Sequence, residues 1–128
     1  MPGARVMRRC LRASAIGVAL LLAATVSGCA ATVSPSIAVD EDTVIVDVRT
    51  PAEYADGHLD GAVNIDLQSA EFESTVAALD PEDEYVVYCA SGNRSAQAVA
   101  VMESAGLSVT DAGGIAAAER ATGLPVIP

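Results

Sequence analysis

The sequence predicts an α/β domain in three layers, a parallel β-sheet with helices on both faces. Two short runs of β-branched and aromatic residues, at 43–48 and 85–88, lack polar alternation, which is typical of strands buried on both faces. Segments with apolar residues at helical spacing follow these runs, and glycine or proline lies at the junctions. Repeated strand–helix units of this kind form parallel sheets covered by helices.

The N-terminal segment is predicted not to belong to this domain. Residues 1–12 carry four arginines and no acid, and residues 13–26 are almost entirely apolar. The apolar run is shorter than the about 20 residues that a membrane-spanning helix needs. A basic start, a short apolar run and small residues at its end are typical of a secretory signal peptide. A transmembrane anchor is the alternative.

The stretch Val26-Ser27-Gly28-Cys29 resembles the lipobox of bacterial lipoproteins. That resemblance implies cleavage before Cys29 and acylation of Cys29, with palmitate as an expected chain. We therefore expect a signal peptide at 1–28, a tether at 29–42 and the folded domain at 43–128. The protein would be exported and held by its lipid at the outer face of the bacterial cell membrane.

The charge of the mature chain excludes one class of partner. After residue 28, three arginines and no lysine face 17 acidic residues, a net charge of −14. A nucleic-acid-binding protein needs a basic surface to contact phosphates, so no nucleic-acid partner is expected. Electrostatic binding to anionic lipids is disfavoured for the same reason, and membrane attachment would depend on the lipid at Cys29.

The first half of the domain contains two strands and two helices. After the strand at 43–48, residues 50–53 combine a threonine N-cap, a proline at the first helical position and a glutamate three residues after the cap. Gly57 ends this short helix, and 62–65 is a second strand. A second helix ends at Pro81 and has three apolar residues on one face: Phe72, Val76 and Leu79.

The second half begins with the strand at 85–88. The next helix carries an apolar stripe and ends at Gly106; the stripe consists of Ala98, Val101, Met102 and Ala105. A short strand at 108–110 follows, and Gly113-Gly114 leads into a final helix at 115–121.

Cys89 is the candidate reactive residue. Cys10 lies in the predicted signal peptide and Cys29 is the predicted lipid site, so Cys89 is the only cysteine of the folded domain and has no partner for an internal disulfide. It is predicted to lie just beyond the strand at 85–88, at the sheet edge where parallel sheets bind ligands. Burial as a packing residue is the alternative.

The residues after Cys89 favour a negative charge on its sulfur. Ala90, Ser91, Gly92 and Asn93 are small, and a helix is predicted to start at Arg94 or Ser95. Backbone N–H groups of such a loop, together with the positive end of the helix, lower the pKa of a thiol. The sulfur is then a reaction centre, or the loop only holds a bound anion.

Four motifs in order resemble a single-domain rhodanese, of the kind of the small exported phage-shock protein. They are Asp47-Val48-Arg49-Thr50-Pro51-Ala52-Glu53-Tyr54, Gly57-His58-Leu59-Asp60-Gly61-Ala62, Cys89-Ala90-Ser91-Gly92-Asn93-Arg94-Ser95 and Gly113-Gly114. The resemblance implies a rhodanese-like fold and a sulfurtransferase that needs no cofactor. Cys89 would take a sulfane sulfur from a small donor such as thiosulfate, hold it as a persulfide, and pass it to cyanide or a thiol.

The resemblance also implies roles for charged residues. Arg94 would brace the loop and place positive charge near the sulfur. Asp47 would brace the loop as well, and Arg49 would face the substrate or pair with Glu53. A catalytic role for His58 is disfavoured, and no residues have the spacing of metal ligands. Related loops often have arginine where Ala90 stands, so one cation is missing.

Two other functions remain open at this point. Phosphatases of this fold place five residues between cysteine and arginine, whereas four separate Cys89 from Arg94, which suits one sulfur atom better than a phosphate. Arsenate reductases of this fold are excluded less firmly. A non-catalytic module that binds a partner protein is the other alternative, although such modules commonly lose the cysteine.

Overall fold

The computed structural model describes residues 35–128. The predicted signal peptide, the predicted lipid site Cys29 and the start of the predicted tether lie outside these residues and stay predictions. Within residues 35–128, no helix has the length and apolar character needed to cross a membrane.

The predicted parallel sheet is confirmed. Its four strands are β1 (Thr43–Asp47), β3 (Val63–Asn64), β4 (Glu84–Cys89) and β5 (Ser108–Gly114). They lie in the order β3-β1-β4-β5, and every neighbouring pair is parallel. The two apolar runs of the sequence thus form the two central strands, as expected of strands that are buried on both faces.

Four helices flank the sheet: α1 (Pro51–Ala55), α2 (Phe72–Ala77), α3 (Asn93–Ser104) and α4 (Ile115–Thr122). Alternate residues of the central strands point to opposite faces. On one face Val46 and Val87 pack with residues of α2 and α3, and on the other face Val86 and Tyr88 pack with Ala118 of α4. The three-layer prediction is therefore correct, and the burial of both faces supplies most of the hydrophobic stabilisation.

The start of α1 has the predicted capping box. The backbone N–H of Glu53 donates to Thr50 Oγ1 at 3.3 Å, and the backbone N–H of Thr50 donates to Glu53 Oε2 at 3.0 Å. Pro51 occupies the first turn, where its missing N–H costs nothing. The box holds α1 directly beyond the carboxyl end of β1.

Helix α2 ends at Ala77 rather than at Pro81, so Leu79, predicted on its apolar face, lies beyond the helix.

Three boundaries near the end of β4 and β5 also differ from the prediction. Cys89 is the last residue of β4 rather than the first residue after it, because it still pairs with Gly114. The helix after the loop starts at Asn93, slightly earlier than expected. The last sheet strand runs to Gly114 rather than Thr110, because a register shift next to Tyr88 lets it follow β4 to its end.

A two-stranded antiparallel sheet was not predicted. It consists of β2 (His58–Leu59) and β6 (Val126–Ile127). The segment around His58, for which no strand was predicted, therefore forms one. The imidazole of His58 stacks on the Tyr54 ring at 3.8 Å between ring centroids, and its Nδ1 lies 2.9 Å from the Tyr54 carbonyl oxygen. These contacts give His58 a structural place in the fold.

Candidate active site

Cys89 lies at the carboxyl end of the central strand β4. Its side chain faces the α3 side of the sheet with Val87 and Ala98, and the residue is 1% exposed. In open parallel sheets this edge is where ligands bind. The sulfur is thus positioned by a buried strand on one side and by the following loop on the other.

The loop after Cys89 turns back over the sulfur. The backbone N–H of Gly92 donates to Cys89 Sγ at 2.9 Å. Gly92 has a φ of +102°, a conformation that a residue with a side chain rarely adopts, so glycine is what permits this turn. Ser95, one turn into α3, is fully buried, and its hydroxyl donates to the Gly92 carbonyl at 3.0 Å.

Hydrogen bonds lower the pKa of the Cys89 thiol. Burial by itself would raise this pKa, but the backbone N–H and hydroxyl of Ser95 and the backbone N–H groups of Gly92 and Ser91 outweigh burial. A hydroxyl proton can rotate, so the Ser95 hydroxyl can turn from the Gly92 carbonyl to a charged sulfur. The site is therefore built to hold a negative charge on sulfur, the charge that the sequence predicted there.

Arg94 closes the far end of the loop. Its two terminal nitrogens donate to Glu53 Oε2 and Oε1, both at 2.8 Å, which is a bidentate ion pair between the start of α3 and α1. The pair lowers the pKa of Glu53 to about 2, with the Arg94 hydrogen bond as the largest cause and Thr50 next. Glu53 is therefore the residue that holds Arg94 in its predicted bracing position, whereas the sequence indicated Glu53 only as a capping residue and a candidate partner of Arg49.

Arg49 and Asp47 pair with each other. The Asp47 carboxylate is fully buried and accepts hydrogen bonds from the backbone N–H of Arg49 at 2.9 Å and from Nη2 of Arg49 at 2.6 Å. The same Nη2 donates to the Gly57 carbonyl at 2.7 Å. The expected pair between Arg49 and Glu53 is wrong, because Glu53 is taken by Arg94. Arg49 is itself buried, and this position does not suit the alternative that it faces the substrate.

Through these hydrogen bonds Asp47 stabilises the connection between β1 and β2. It was predicted to brace the Cys89 loop instead. Asn64, which sequence analysis missed, supports the same connection: its Nδ2 donates to the backbone carbonyls of Asp47 at 3.0 Å and Arg49 at 2.8 Å. A buried carboxylate is costly unless it is paired and fully hydrogen-bonded, so Arg49 stabilises Asp47 in this position. The network keeps α1, and with it Glu53, in place beside the loop.

Gly114 is the closest neighbour of the loop from β5. A Cβ at this position would lie 2.7 Å from the Ala90 carbonyl oxygen and 3.2 Å from Ser91 Cα. Its φ is −75°, so a side chain would not strain the Gly114 backbone itself. Glycine is needed at position 114 for close approach alone, whereas Gly113, the other glycine of the motif, has a φ of +75°.

We expect Gly114→Ala to lower kcat/KM for sulfur transfer at least about tenfold, because the methyl group must push the Ala90–Ser91 backbone away from its position over the sulfur. Such overpacking should also cost about 1–3 kcal/mol of folding free energy. Thermal unfolding and activity assays of the purified variant measure both effects.

Gly123→Ala is the matched control. Gly123, unlike Gly114, has a positive φ, +74°, and a Cβ there meets nothing within 4 Å. This change should cost about 1 kcal/mol in backbone strain and leave kcat/KM unchanged. Wild-type activity in Gly114→Ala would contradict the idea that this contact positions the loop.

Within residues 35–128, no group of three His, Cys, Asp or Glu side chains is placed to hold a metal ion. The expectation that the protein uses no metal or cofactor stays a prediction.

Comparison with protein families identifies the domain. A model of the Rhodanese-like domain matches residues 36–118. The chain is 37% identical over 71 residues to the thiosulfate sulfurtransferase PspE of Escherichia coli, an alignment that covers 55% of this chain and 68% of PspE. It is 34% identical over 96 residues to a sulfurtransferase of Allochromatium vinosum, covering 73% of this chain and 87% of that protein.

A thiosulfate:glutathione sulfurtransferase of Saccharomyces cerevisiae is 35% identical over 82 residues, with 56% of this chain and 59% of the yeast protein covered. Solved structures agree. A rhodanese-related protein from Thermoplasma volcanium superposes with a TM-score of 0.58 at 32% identity, covering 73% of this chain and 97% of that one. An E. coli rhodanese with anions superposes with a TM-score of 0.54 at 31% identity, and the superposition covers 66% of this chain and 96% of that one.

Proposed function

The chain belongs to the rhodanese-like domain family, and from this premise we propose that it moves a sulfane sulfur from a donor such as thiosulfate to a thiophilic acceptor through a persulfide on Cys89. Its relatives support a sulfurtransferase in general. The persulfide and the donor and acceptor are our proposal. The observation that carries it is the Gly92 N–H 2.9 Å from a buried sulfur whose pKa is lowered.

In the first half-reaction the Cys89 thiolate attacks the outer sulfur of thiosulfate. A bond forms between Sγ and that sulfur, the sulfur–sulfur bond of thiosulfate breaks, and its electron pair leaves with sulfite. Cys89 then carries a persulfide anion. The N–H groups of Ser91, Gly92 and Ser95 that lower the pKa of the thiol lie around Sγ, and we expect them to stabilise the charge when it moves outward by one atom.

In the second half-reaction an acceptor attacks the outer persulfide sulfur. Cyanide takes that sulfur as thiocyanate and restores the Cys89 thiolate, and a thiol acceptor would leave as its own persulfide. Because the sulfur is held covalently between the two steps, the donor product leaves before the acceptor binds. Ping-pong kinetics are the expected signature.

The structure favours this reaction over chemistry on a larger oxyanion. The loop from Cys89 to Arg94 closes directly on the sulfur, and Arg94 is held by Glu53. A phosphate or arsenate would need the N–H groups to surround several oxygens and an arginine free to contact them. A partner-binding module without catalysis would not need a thiol with a lowered pKa.

The proposal is tested with the purified protein. Incubation with thiosulfate should add the mass of one sulfur atom, and addition of cyanide should remove it and release thiocyanate. An unchanged mass under these conditions, with no thiocyanate formed, would contradict the function.

We also propose that the protein is exported and anchored through a lipid on Cys29, on the support of the lipobox-like residues 26–29 and the basic, apolar segment before them. The sulfurtransferase would then work at the outer face of the bacterial cell membrane, with no nucleic-acid partner.

Cys29→Ser is expected to move the protein from the membrane fraction to the soluble fraction, since a lipid is the only attachment that this acidic chain is predicted to have. Fractionation followed by mass spectrometry of the N-terminus measures the change. Wild-type protein should start at an acylated Cys29. An intact, unmodified N-terminus in the membrane fraction would instead support a transmembrane anchor.

A further inference from the structure

Positive charge next to Cys89 is cancelled by acidic partners. Both arginines near the sheet edge are in ion pairs, Arg94 with Glu53 at 2.8 Å and Arg49 with Asp47 at 2.6 Å. The charges of the two arginines and the two carboxylates sum to zero. The Cys89 thiolate therefore gives this region a net charge of −1. Ala90, exposed on the loop, adds no cation.

The rest of the described domain does not supply positive charge to offset this negative charge. Arg120, the third arginine of residues 35–128, lies on α4, and these residues carry a net charge of −14. An approaching dianion is therefore repelled by the domain as a whole and meets no unpaired guanidinium at the loop. A donor with less charge experiences weaker repulsion, because the energy of interaction scales with the charge of the donor.

We propose that Glu53 is a specificity-determining residue: by pairing with Arg94 it makes the site favour sulfane donors that carry at most one negative charge, such as hydropersulfides, over dianionic thiosulfate. This inference rests on the proposed sulfurtransferase function. With a hydropersulfide, the Cys89 thiolate forms the new bond to the outer sulfur, the old sulfur–sulfur bond breaks, and its electrons leave with the donor thiolate. Cys89 then holds a protonated persulfide, and atoms and charge balance.

Glu53 acts through Arg94, as a positioning residue. The ion pair is partly open to solvent, with side-chain exposures of 22% for Arg94 and 36% for Glu53. Arg94 nevertheless interacts electrostatically with Cys89. The hydrogen bond to Glu53 is the largest cause of the raised pKa of Arg94, and the charge of Cys89 also contributes. Arg94 directly follows the loop at the start of α3, so a guanidinium released from Glu53 would add an unpaired positive charge at the end of the loop.

Glu53→Gln tests the effect of the Glu53 charge while it keeps the structural role of this side chain. Glutamine keeps a side-chain oxygen that accepts from the Thr50 N–H, so the capping box of α1 persists. Only the negative charge is removed, and Arg94 gains freedom to face the donor. The matched control is Glu103→Gln, which removes the same charge from an exposed position near the opposite end of α3.

Two donors that differ mainly in charge provide the readout. Methanethiosulfonate is thiosulfate with one charged oxygen replaced by a methyl group; it gives up the same sulfur and leaves as methanesulfinate. For each variant, kcat/KM for loading Cys89 is measured with both donors, and the ratio of thiosulfate to methanethiosulfonate is compared with wild type. A purely structural defect lowers both values and leaves the ratio unchanged.

We expect Glu53→Gln to raise this ratio about fivefold, the size that a partly exposed charge supports. Adding Arg94→Gln to Glu53→Gln should return the ratio to the wild-type value, and Glu103→Gln should leave it within about twofold, since distant exposed charges are screened by salt. Ala90→Arg, a change at an exposed loop position, should raise the ratio as well. This variant replaces Glu53→Gln as the test if Glu53→Gln does not fold.

An unchanged ratio in folded Glu53→Gln would overturn the inference, as would an equal increase in Glu103→Gln. If Glu53→Gln does not fold, an unchanged ratio in Ala90→Arg overturns it. Failure of the wild-type protein to load sulfur from either donor would instead overturn the proposed function. The two failures are thus distinguishable in one experiment.

Discussion

Cys89→Ser is expected to abolish sulfur loading and transfer while the domain stays folded. A serine oxygen cannot form the sulfur–sulfur bond of a persulfide, and in enzymes that use a covalent intermediate the loss of the nucleophile costs roughly 1,000-fold or more. Serine is smaller than cysteine and its oxygen can accept the Gly92 N–H that Cys89 Sγ accepts. We therefore expect a loss of only about 1 kcal/mol in folding free energy.

Intact-mass measurement after incubation with thiosulfate and turnover with thiosulfate and cyanide test this result. Cys29→Ser is the matched control, since it is the same substitution in the same chain at a residue that lies outside the predicted domain. Its purified protein should load and transfer sulfur like wild type. A persulfide on the Cys89→Ser protein, or transfer without one, would contradict the mechanism.

Insertion of one glycine between Asn93 and Arg94 is expected to lower sulfur transfer at least about 100-fold. The insertion falls in the first turn of α3, where one extra residue rotates the following side chains by about 100°. Arg94 would leave its bidentate contact with Glu53, and Ser95 would turn away from the sulfur whose pKa it lowers. Misplaced groups near the reacting atom cost about 100-fold for shifts of 1 Å.

The same insertion gives the five-residue spacing that the sequence comparison associates with phosphatases of this fold. Hydrolysis of a small phosphate ester is therefore measured beside sulfur transfer. A glycine inserted between Pro81 and Glu82, in the exposed turn between α2 and β4, is the control for the effect of insertion itself. Full thiosulfate activity in the Asn93–Arg94 insertion would show that loop length does not set the chemistry.

The fold was predictable because its signals are local. The central strands β1 and β4 are apolar runs that need no knowledge of their neighbours, and the capping box of α1 is complete within residues 50–53. The small antiparallel sheet was not predictable. Strands β2 and β6 have two residues each and lie far apart in the chain, so neither has a pattern of its own.

The site was predictable to a similar extent. A single cysteine followed by small residues and a helix start indicated an anionic sulfur, and the hydrogen bond from Gly92 has that geometry. The partner of Arg49 was not found from the sequence. Arg49 was expected to face the substrate or to pair with Glu53, but it pairs with Asp47, and Glu53 pairs with Arg94, 41 residues away along the chain.

The parallel α/β architecture, the candidate cysteine and the length of its loop could all be predicted from the sequence, because periodicity, capping and spacing are properties of short segments. Which carboxylate each arginine meets, and how closely Gly114 approaches Ala90, could be learned only from the fold. Those choices depend on how β1, β5 and the starts of α1 and α3 converge at one edge of the sheet. Electrostatic and steric energies depend on distances in space, which separation along the chain does not specify.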